Sequence, residues 1–402
     1  MKAKLKKNIE YILKEFFPIG SLETKPGVTR LGYSKIEDEI HNRYLEMAQE
    51  FGLNTYIDQV GNSYAFIGEH EKYHLLGSHL DSVIEGGRYD GVVGVAVGLA
   101  IMKVLKDMDI NIPIKTVAFR CEESANFMSA MIGSGLITGS TKFEEIKNLK
   151  GRDGISLEEI FEKKNYSTTP NLIDDVIDYI EVHIEQGRVL EEKNNNIGIV
   201  DVISGGIKII CEATGLAEHA GATPMNLRKD SLAAVAEIIL AVEEIAKEIS
   251  DSSVGTVGFI ENSPNSINVV SGNTKFSIDL RDNNSNTMEK LLETVLNRVD
   301  IIAKNRNISI NTKITGKSSP ANLSKRMILE LENIAKEQSY NYQTISSGAS
   351  HDCIKINEKF DSALIFIPCK DGVSHNPLEE ANINDMVISG ELVIKYLLNQ
   401  NY

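Results

Sequence analysis

The chain is poor in cysteine and in basic residues, and it has no long apolar run. Its four cysteines, Cys121, Cys211, Cys353 and Cys369, form no CxxC pair, so we expect reduced thiols in a cytoplasmic protein and no disulfide framework. Lys and Arg number 42 against 57 Asp and Glu, a net charge of -15, which argues against a nucleic-acid partner. No run approaches the ~20 apolar residues that a membrane span requires.

Internal repeats and low-complexity segments are also absent, and no signal peptide is expected. The basic residues 1–7 are followed by Ile9, Ile12, Leu13 and Phe16 at helical spacing, which predicts an amphipathic helix. At 402 residues the chain is too long for one ordinary core, so two domains are expected.

The first 200 or so residues alternate strand and helix patterns. Short apolar runs predict strands at 72–77, 114–120 and 179–184, and the small apolar residues of 92–105 predict a helix packed on a sheet. Ser34 and Glu37 form a capping-box signature at the start of another helix, which Gly52 ends. This alternation indicates an α/β layer architecture.

A different pattern begins near Gly206. Strands are expected at 207–212, 253–260, 274–281 and 308–314, with helices at 231–249 and 287–304. The order βαββαβ is that of a ferredoxin-like domain. Because candidate ligands both precede and follow this segment, we predict an inserted domain at 206–319, within a metal-binding catalytic domain formed by 1–205 and 320–402.

Five short segments between Gly77 and Pro377 carry side chains that can bind a transition metal. Together they offer three imidazoles and several carboxylates, which is about the inventory that two neighbouring divalent ions need when they share one carboxylate. The set therefore predicts a two-metal hydrolase site. The side chains are His79, Asp81, Asp90, Glu122, Glu123, His183 and His375.

Each segment has an ordinary alternative when it is taken alone. Asp81 either fixes the tautomer of His79 or is its partner in a surface turn. Asp90, in a glycine-dense loop before a helix, is a bridging ligand or a helix cap. Glu122 and Glu123 are a general base beside a ligand, or a solvated acidic pair. The conjunction of five segments in one chain favours the metal site.

Nine motifs resemble those of the hydantoinase/carbamoylase branch of the M20 metallopeptidase family: GVTRL, GSHLDS, GGRYDGVVGV, CEES, EVHIEQG, AEHAGATPM, NSINVVSG, SGASHD and VSHNPLE. The likeness covers nearly the whole chain in order. It implies a zinc-peptidase-like three-layer α/β catalytic domain with an inserted ferredoxin-like lid and dimerisation domain, and hence a homodimer. It also implies cleavage of a carbamoyl or ureido C–N bond in a small carboxylate, an N-carbamoyl-L-amino acid, allantoate or β-ureidopropionate, with release of ammonia and CO2.

The resemblance also implies the ligands of two divalent ions per subunit. One ion would be held by His79, Asp90 and His183, and the other by Asp90, Glu123 and His375, with Asp90 bridging. Zinc is favoured, and manganese and cobalt are alternatives because nitrogen and oxygen ligands accept all three. In the same scheme Glu122 is the general base and Asp81 is the partner of His79.

Six residues are implied to bind the substrate: Gln186, Lys208, His219, Asn268, Arg281 and His351. His219 would also donate a hydrogen bond to the oxyanion, and Arg281 would grip the carboxylate. A turn role for His219, and a surface ion pair of Arg281 with Asp279 or Asp282, are the alternatives. Lys208 and Asn126 stand where many members of the family have arginine, a difference expected to act on substrate choice and not on the metal ligands.

Three other functions fit part of the sequence. An aminopeptidase or dipeptidase on the same fold is disfavoured by the HIEQG segment, and a non-catalytic binder is disfavoured by the full ligand set. A thiol amidase based on Cys121 lacks a nearby activating Lys or His. We therefore expect a cytoplasmic enzyme with a small-molecule substrate and no membrane or nucleic-acid partner.

Overall fold

The computed structural model describes residues 1–400, which divide into two compact units. The first comprises Met1–Asp201 together with the chain from Leu323 onward, and the second comprises Val202–Asn322. The second unit contains the segment 206–319 that the sequence analysis treats as an insertion, and its status as a separate domain stays a prediction. Within residues 1–400 no helix is both long and apolar enough to cross a bilayer.

The helices of the described chain are α1 (Lys2–Phe16), α2 (Lys35–Glu50), α3 (Val92–Asp107), α4 (Ile132–Thr138), α5 (Phe143–Ile146), α6 (Leu157–Lys164), α7 (Val189–Glu192), α8 (Ser231–Ile249), α9 (Ser285–Arg306), α10 (Lys325–Glu337), α11 (Asp352–Asn357) and α12 (Ile383–Asn399). Short 3-10 turns occur at Met225–Leu227 and Lys370–Gly372.

The strands are β1 (Asn54–Ile57), β2 (Ser63–Phe66), β3 (Tyr73–His79), β4 (Ile114–Phe119), β5 (Val176–Ile184), β6 (Ile197–Ile203), β7 (Gly205–Thr214), β8 (Val254–Thr256), β9 (Ile260–Ser263), β10 (Asn273–Asp282), β11 (Ser309–Ser318), β12 (Ala321–Asn322), β13 (Tyr342–Ser347) and β14 (Ser362–Ile367).

The large sheet has the order β1-β2-β4-β3-β5-β14-β6-β12, and β13 also pairs with β6. Its centre, β4-β3-β5-β14, is parallel. Alternate residues of β5 face opposite sides: Ile180 and Val182 pack into the apolar core with α3, whereas Glu181 accepts a hydrogen bond from the N–H of Cys353 on α11. Helices therefore cover both faces of the sheet, and the predicted three-layer α/β class is confirmed.

Local sequence accounts for most of these elements. The predicted amphipathic α1 buries Ile9, Ile12, Leu13 and Phe16 on one side, together with Leu5. The capping box at α2 is only half formed: the hydroxyl of Ser34 accepts the N–H of Glu37. The Glu37 carboxylate turns away, accepting the N–H of Tyr33 (2.6 Å) and, at its other oxygen, that of Cys121 (2.9 Å). Ser34 is thus the N-cap of α2, as the signature predicts, but the carboxylate of Glu37 bonds to the loop that follows β4 and not back to the N–H of Ser34.

The second unit is an antiparallel sheet of order β11-β7-β10-β8, with β9 also on β10, covered on one face by α8 and α9. This is the predicted βαββαβ arrangement, and the ferredoxin-like class is confirmed. The prediction of one continuous strand at 253–260 was wrong. The segment is broken into β8 and β9, which pair with opposite halves of β10.

Candidate active site

The predicted metal ligands of the first unit lie where four neighbouring parallel strands end. His79 is the last residue of β3, and His183 is the penultimate residue of β5. Glu122 and Glu123 follow β4, and the loop that bears His375 follows β14. Carboxyl ends of parallel strands share one edge of the sheet, so residues far apart in sequence converge there.

Asp90 lies at the centre of this cluster, with each carboxylate oxygen facing a different group of ligands. Its Oδ1 is 3.4 Å from Nε2 of His79 and 3.1 Å from Nε2 of His183. Its Oδ2 is 3.3 Å from Nε2 of His375, which lies 3.1 Å from Oε1 of Glu123. The ligand atoms therefore form two triads, His79-Asp90-His183 and Asp90-Glu123-His375, that share Asp90. Asp90 does not cap α3, because the capping position is Gly91.

The tautomers of the two buried imidazoles fit a metal ion. Nδ1 of His183 lies 2.9 Å from the carbonyl oxygen of Ile184, and Nδ1 of His79 lies 3.2 Å from that of Asp81. A carbonyl only accepts, so each Nδ1 carries a proton and a neutral ring presents the lone pair of Nε2 to Asp90. Burial lowers the pKa of both rings, but the carboxylates, Asp81 and Asp90 at His79 and Asp90 at His183, outweigh it and raise each pKa above its ordinary value. The 3.1–3.4 Å contacts to Asp90 therefore favour a positive charge, carried by a proton on the ring or by a metal ion. Those separations also match the roughly 3.4 Å edges of a tetrahedral site with 2.1 Å bonds.

The two triads differ in exposure. His79, Asp90 and His183 are buried, whereas the side chain of His375 is 49% exposed and its backbone has φ of 54°. Gly91 adjoins the buried triad with φ of +67°, and a Cβ there would lie 2.5 Å from the ring of His79. A glycine is therefore needed for the Asp90 loop to approach that ring.

Charge coupling across the cluster is strong. Burial alone would raise the pKa of Asp90, but the surrounding imidazoles of His183, His375 and His79 hold it well below its ordinary value. The hydrogen bonds of His375 to Asp90 and Glu123 raise the pKa of that imidazole to about 11. The carboxylates are thus strongly attractive to a positive charge at this position.

Glu122 has the environment of a general base. It is only 7% exposed, and its Oε2 lies 3.9 Å from Nε2 of His79. Burial raises its pKa well above the ordinary value, and repulsion from Glu123 and Asp352 adds to that shift. Such a carboxylate takes up a proton more readily than an exposed one.

Asp81 holds both glutamates in place. Its Oδ1 accepts the backbone N–H of Glu122 and its Oδ2 that of Glu123, each at 3.0 Å. Its carboxylate is the predicted partner of His79. In the structure Nδ1 of His79 lies 3.4 Å from that carboxylate and closer, 3.2 Å, to the main-chain carbonyl of Asp81.

Gln186 presents one used and one unused polar atom. Its Nε2 donates to Oδ2 of Asp90 at 2.7 Å, which fixes the side chain beside the shared carboxylate. Its Oε1 is buried and has no hydrogen-bond partner among the described residues. A buried acceptor without a donor is costly, so this oxygen is suited to an N–H group of a bound molecule.

His351 is buried against the cluster. Its ring centroid lies 4.4 Å from that of His183, and its Nε2 lies 3.1 Å from the hydroxyl of Ser347. Burial, with the positive potential of His183 and His79, holds its pKa well below the ordinary value, so the ring is neutral. Its direct use in substrate binding stays a prediction.

The other four predicted substrate residues lie on the second unit. His219 and Asn268 are brought together there, because the 217–220 segment pairs with 268–270 through a bridge between His219 and Val269. Nδ1 of His219 accepts the N–H groups of Gly221 and Ala222 at 3.1 and 3.2 Å. The proton of a neutral ring is therefore on the exposed Nε2, which can act as a donor.

Arg281 and Lys208 lie on neighbouring strands, with Lys208 directly opposite Asp279. The guanidinium of Arg281 donates to both oxygens of Asp279, at 2.8 and 3.2 Å. The ion pair that the sequence analysis raised as an alternative is therefore formed with Asp279. Asp282 instead accepts hydrogen bonds from the hydroxyls of Ser250, Ser252 and Ser253.

Three residues at the cluster escaped the sequence analysis. Ser374 donates to Oδ2 of Asp90 at 3.0 Å, and Glu379 accepts the N–H of Asp90 at 3.1 Å. Arg30 is fully buried; burial lowers its pKa to about 10, while Asp81 and Glu379 act in the opposite direction. All three lie inside the motifs GVTRL and VSHNPLE, so the sequence motifs point to them. The motifs do not show which distant loop each side chain contacts.

Similarity to known proteins identifies the family of this chain. The family model described as peptidase family M20/M25/M40 matches residues 75–399. The chain belongs to this family. An N-carbamoyl-L-amino acid amidohydrolase of Geobacillus stearothermophilus is 34% identical over 401 residues, covering 96% of both chains. An allantoate amidohydrolase of Escherichia coli (strain K12) is 32% identical over 371 residues, covering 90% of both.

Among solved structures, an amidase of the hydantoinase/carbamoylase family from Burkholderia multivorans superposes with a TM-score of 0.91 at 27% identity, covering 98% of this chain and 97% of that chain. The predicted resemblance is confirmed, and the chain is a hydrolase of the hydantoinase/carbamoylase branch of this metal-dependent family.

Proposed function

We propose that this enzyme uses two divalent metal ions, zinc being favoured, to hydrolyse the carbamoyl or ureido amide of a small carboxylate. The substrate would be an N-carbamoyl-L-amino acid or allantoate, the compounds named for its relatives. The observation that carries the proposal is the geometry of Asp90, whose two oxygens each face a separate triad of ligands. One carboxylate shared by two triads is the arrangement of a bridged two-metal site.

The chemistry divides between the ions and the protein. When bound, the ions would polarise the substrate carbonyl and make an attacking water more acidic. Glu122 takes the proton of that water and returns it to the nitrogen that leaves, so the C–N bond breaks and a C–O bond forms. The carbamate so released decomposes to ammonia and CO2, which balances the reaction. Asp81 keeps Glu122 in place through its backbone N–H.

Gln186 supports a ureido substrate in particular. Its free Oε1 accepts, and the terminal NH2 of a ureido group donates. A dipeptide has no second N–H donor on the carbon that is attacked, so it would leave this buried acceptor unpaired. That difference favours carbamoyl compounds over peptides.

On the second unit we assign oxyanion stabilisation to His219, through its exposed Nε2, and carboxylate binding to Arg281, with Asn268 and Lys208 beside them. A planar guanidinium matches a carboxylate in shape and charge. The two hydrogen bonds that Arg281 donates to the carboxylate of Asp279 are of the kind that a substrate carboxylate would accept.

Ammonia release is the decisive assay. Purified enzyme loaded with zinc, manganese or cobalt would be given N-carbamoyl-L-amino acids, allantoate, β-ureidopropionate and dipeptides. We expect ammonia from N-carbamoyl-L-amino acids or from allantoate, loss of activity with a chelator, and no effect of iodoacetamide. Cleavage of dipeptides without ammonia release would contradict this proposal and would indicate a peptidase.

We further propose that the second unit forms a homodimer. It exposes several large apolar side chains, among them Leu240 on α8 (67% exposed), and Met225 and Leu227 in the preceding loop. Sedimentation should give a dimer, and Leu240→Glu should shift it toward monomer because a charge on an apolar interface is costly. Leu329→Glu, at an exposed leucine of the first unit, is the matched control.

A further inference from the structure

Glu379 is a buried carboxylate, 5% exposed, that no step of the proposed reaction uses. Its Oε1 accepts two successive backbone N–H groups, those of Tyr89 at 2.8 Å and Asp90 at 3.1 Å. These residues lie about 290 positions earlier in the chain. One oxygen of Glu379 therefore fixes the main chain of the loop that carries the shared ligand.

The second oxygen of Glu379 reaches the other ligand loop. Its Oε2 lies 3.1 Å from the hydroxyl of Ser374, and the same hydroxyl lies 3.0 Å from Oδ2 of Asp90. Ser374 directly precedes His375, the half-exposed ligand. This loop is closed at its base by a bridge between Cys369 and Ala381. Glu379 thus connects the Asp90 loop to the His375 loop.

Gly87 shows how tightly this connection is packed. A Cβ placed on Gly87 would lie 1.9 Å from the carboxyl carbon of Glu379 and 2.0 and 2.2 Å from its oxygens. The backbone of Gly87 is not in the left-handed region. The glycine is therefore required here for space and not for conformation, because the carboxylate of Glu379 occupies the volume of a side chain.

We infer that Glu379 is a positioning residue that sets the Asp90 and His375 loops in ligand geometry before any ion binds, and that Gly87 is a glycine in order to admit it. The inference rests on the proposed two-metal function. Since Asp90 belongs to both triads, loss of the whole carboxylate should weaken both ions. Loss of only the contact to Ser374 should act mainly on the triad that contains His375.

Two substitutions separate these effects. Ser374→Ala leaves the bonds of Glu379 to the N–H groups of Tyr89 and Asp90 but removes the hydroxyl between Oε2 of Glu379 and Oδ2 of Asp90, so we expect the second ion to bind roughly 10–100-fold more weakly with the first little changed. Glu379→Ala should weaken both ions by a similar factor. Glu380→Ala is the matched control, because this neighbour is exposed and pairs with Lys370. Zinc and cobalt titration of the stripped protein is the measurement.

Amide hydrogen exchange on the metal-stripped protein tests the positioning without any ion. The amides of Tyr89 and Asp90 should be protected in the wild type and in Glu380→Ala, and should exchange at least about tenfold faster in Glu379→Ala. Unchanged exchange together with wild-type metal affinity would overturn the inference. Faster exchange in a protein that never binds two ions would uphold the positioning role and refute the two-metal function.

Gly87→Ala gives a test that leaves Glu379 itself intact. Its methyl group should displace the carboxylate and reproduce the effects of Glu379→Ala on metal affinity and exchange. In the double variant Gly87→Ala/Glu379→Ala the clash is gone, so the two effects should be strongly non-additive. Fully additive effects would show that the two residues are not coupled and would overturn the role given to Gly87.

Discussion

The candidate functional residues of the two units differ in their exposure to solvent. In the first unit the ligands and Glu122 are buried or half-buried among residues that hydrogen-bond to their side chains or main chain. In the second unit His219 and Asn268 are exposed, on a short paired loop. The first arrangement defines a site by itself, whereas the second offers donors to the solvent.

This difference follows from what each group must do. A metal ligand has to be set to within a few tenths of an ångström before the ion arrives, and burial among fixed hydrogen-bond partners achieves that. A substrate-binding group has to be reached by a molecule that enters and leaves, so it keeps an open side. Substitutions in the first unit should therefore remove chemistry, and substitutions in the second should change affinity.

The largest effect is expected for the shared ligand. Asp90→Asn removes the negative charge that faces both triads, so both ions and essentially all activity should be lost together. Metal analysis and turnover of the same preparations check this. Asp385→Asn changes another buried aspartate, which bonds to Asn196 away from the cluster, and should retain both ions. Full activity of Asp90→Asn would refute the two-metal site.

The next effect separates the base from the ligands. Glu122→Gln keeps the size of the side chain but cannot take a proton, so kcat should fall by about 10²–10⁴-fold with metal content unchanged. Glu185→Gln is the matched control, since Glu185 is similarly buried and caps α7 through the N–H groups of Val189 and Leu190. Loss of metal in Glu122→Gln would instead make Glu122 a ligand.

The same contrast explains what the sequence could predict. The central strands and the ligands that follow them were foreseen because each is a short local pattern, an apolar run with a His or an acid at its end. The βαββαβ order was foreseen for the same reason. The break at 257–259 was not, although Gly258 lies at its centre, because a glycine inside an apolar run is compatible with both a bend and an uninterrupted strand.

Long-range polar pairing was the other limit. The local sequence predicts a capping role for Glu37, but its carboxylate accepts hydrogen bonds from Cys121 and Arg120. The local sequence around Glu379 predicts only an acidic residue in a loop, but its carboxylate accepts the backbone N–H groups of Tyr89 and Asp90. Such contacts depend on which loops the fold brings together, and hydrophobic periodicity carries no information about that.

A smaller effect is expected on the second unit. Arg281→Ala should raise KM by about 10–100-fold, the equivalent of one charge-assisted hydrogen-bonded pair, with kcat and metal content nearly unchanged. Lys275→Ala, at an exposed lysine on the same strand, is the control. If the ion pair with Asp279 is only structural, Arg281→Ala will lower the unfolding temperature of this unit and leave KM as it was.

The smallest effect contrasts the two units through pH. His41 on α2 is fully buried with Nδ1 2.9 Å from the hydroxyl of Ser63. Burial, assisted by Arg120 and Lys164, holds its pKa well below the ordinary 6.5. The only histidine of the second unit is the exposed His219. That unit therefore has no buried histidine with a lowered pKa to destabilise it as the pH falls.

The sign follows from proton binding. Below pH ~6.5 the unfolded chain protonates His41 and the folded chain does not, so this histidine lowers the free energy of unfolding by at most about 1.4 kcal/mol per pH unit. Above pH ~6.5 its contribution is constant. Urea unfolding of wild type and His41→Gln between about pH 5 and 7.5 measures it, because other acid-sensitive groups act equally in both proteins. The stability curves should diverge below pH ~6.5, with the wild type falling more steeply, whereas parallel curves would mean that His41 titrates normally in the folded protein.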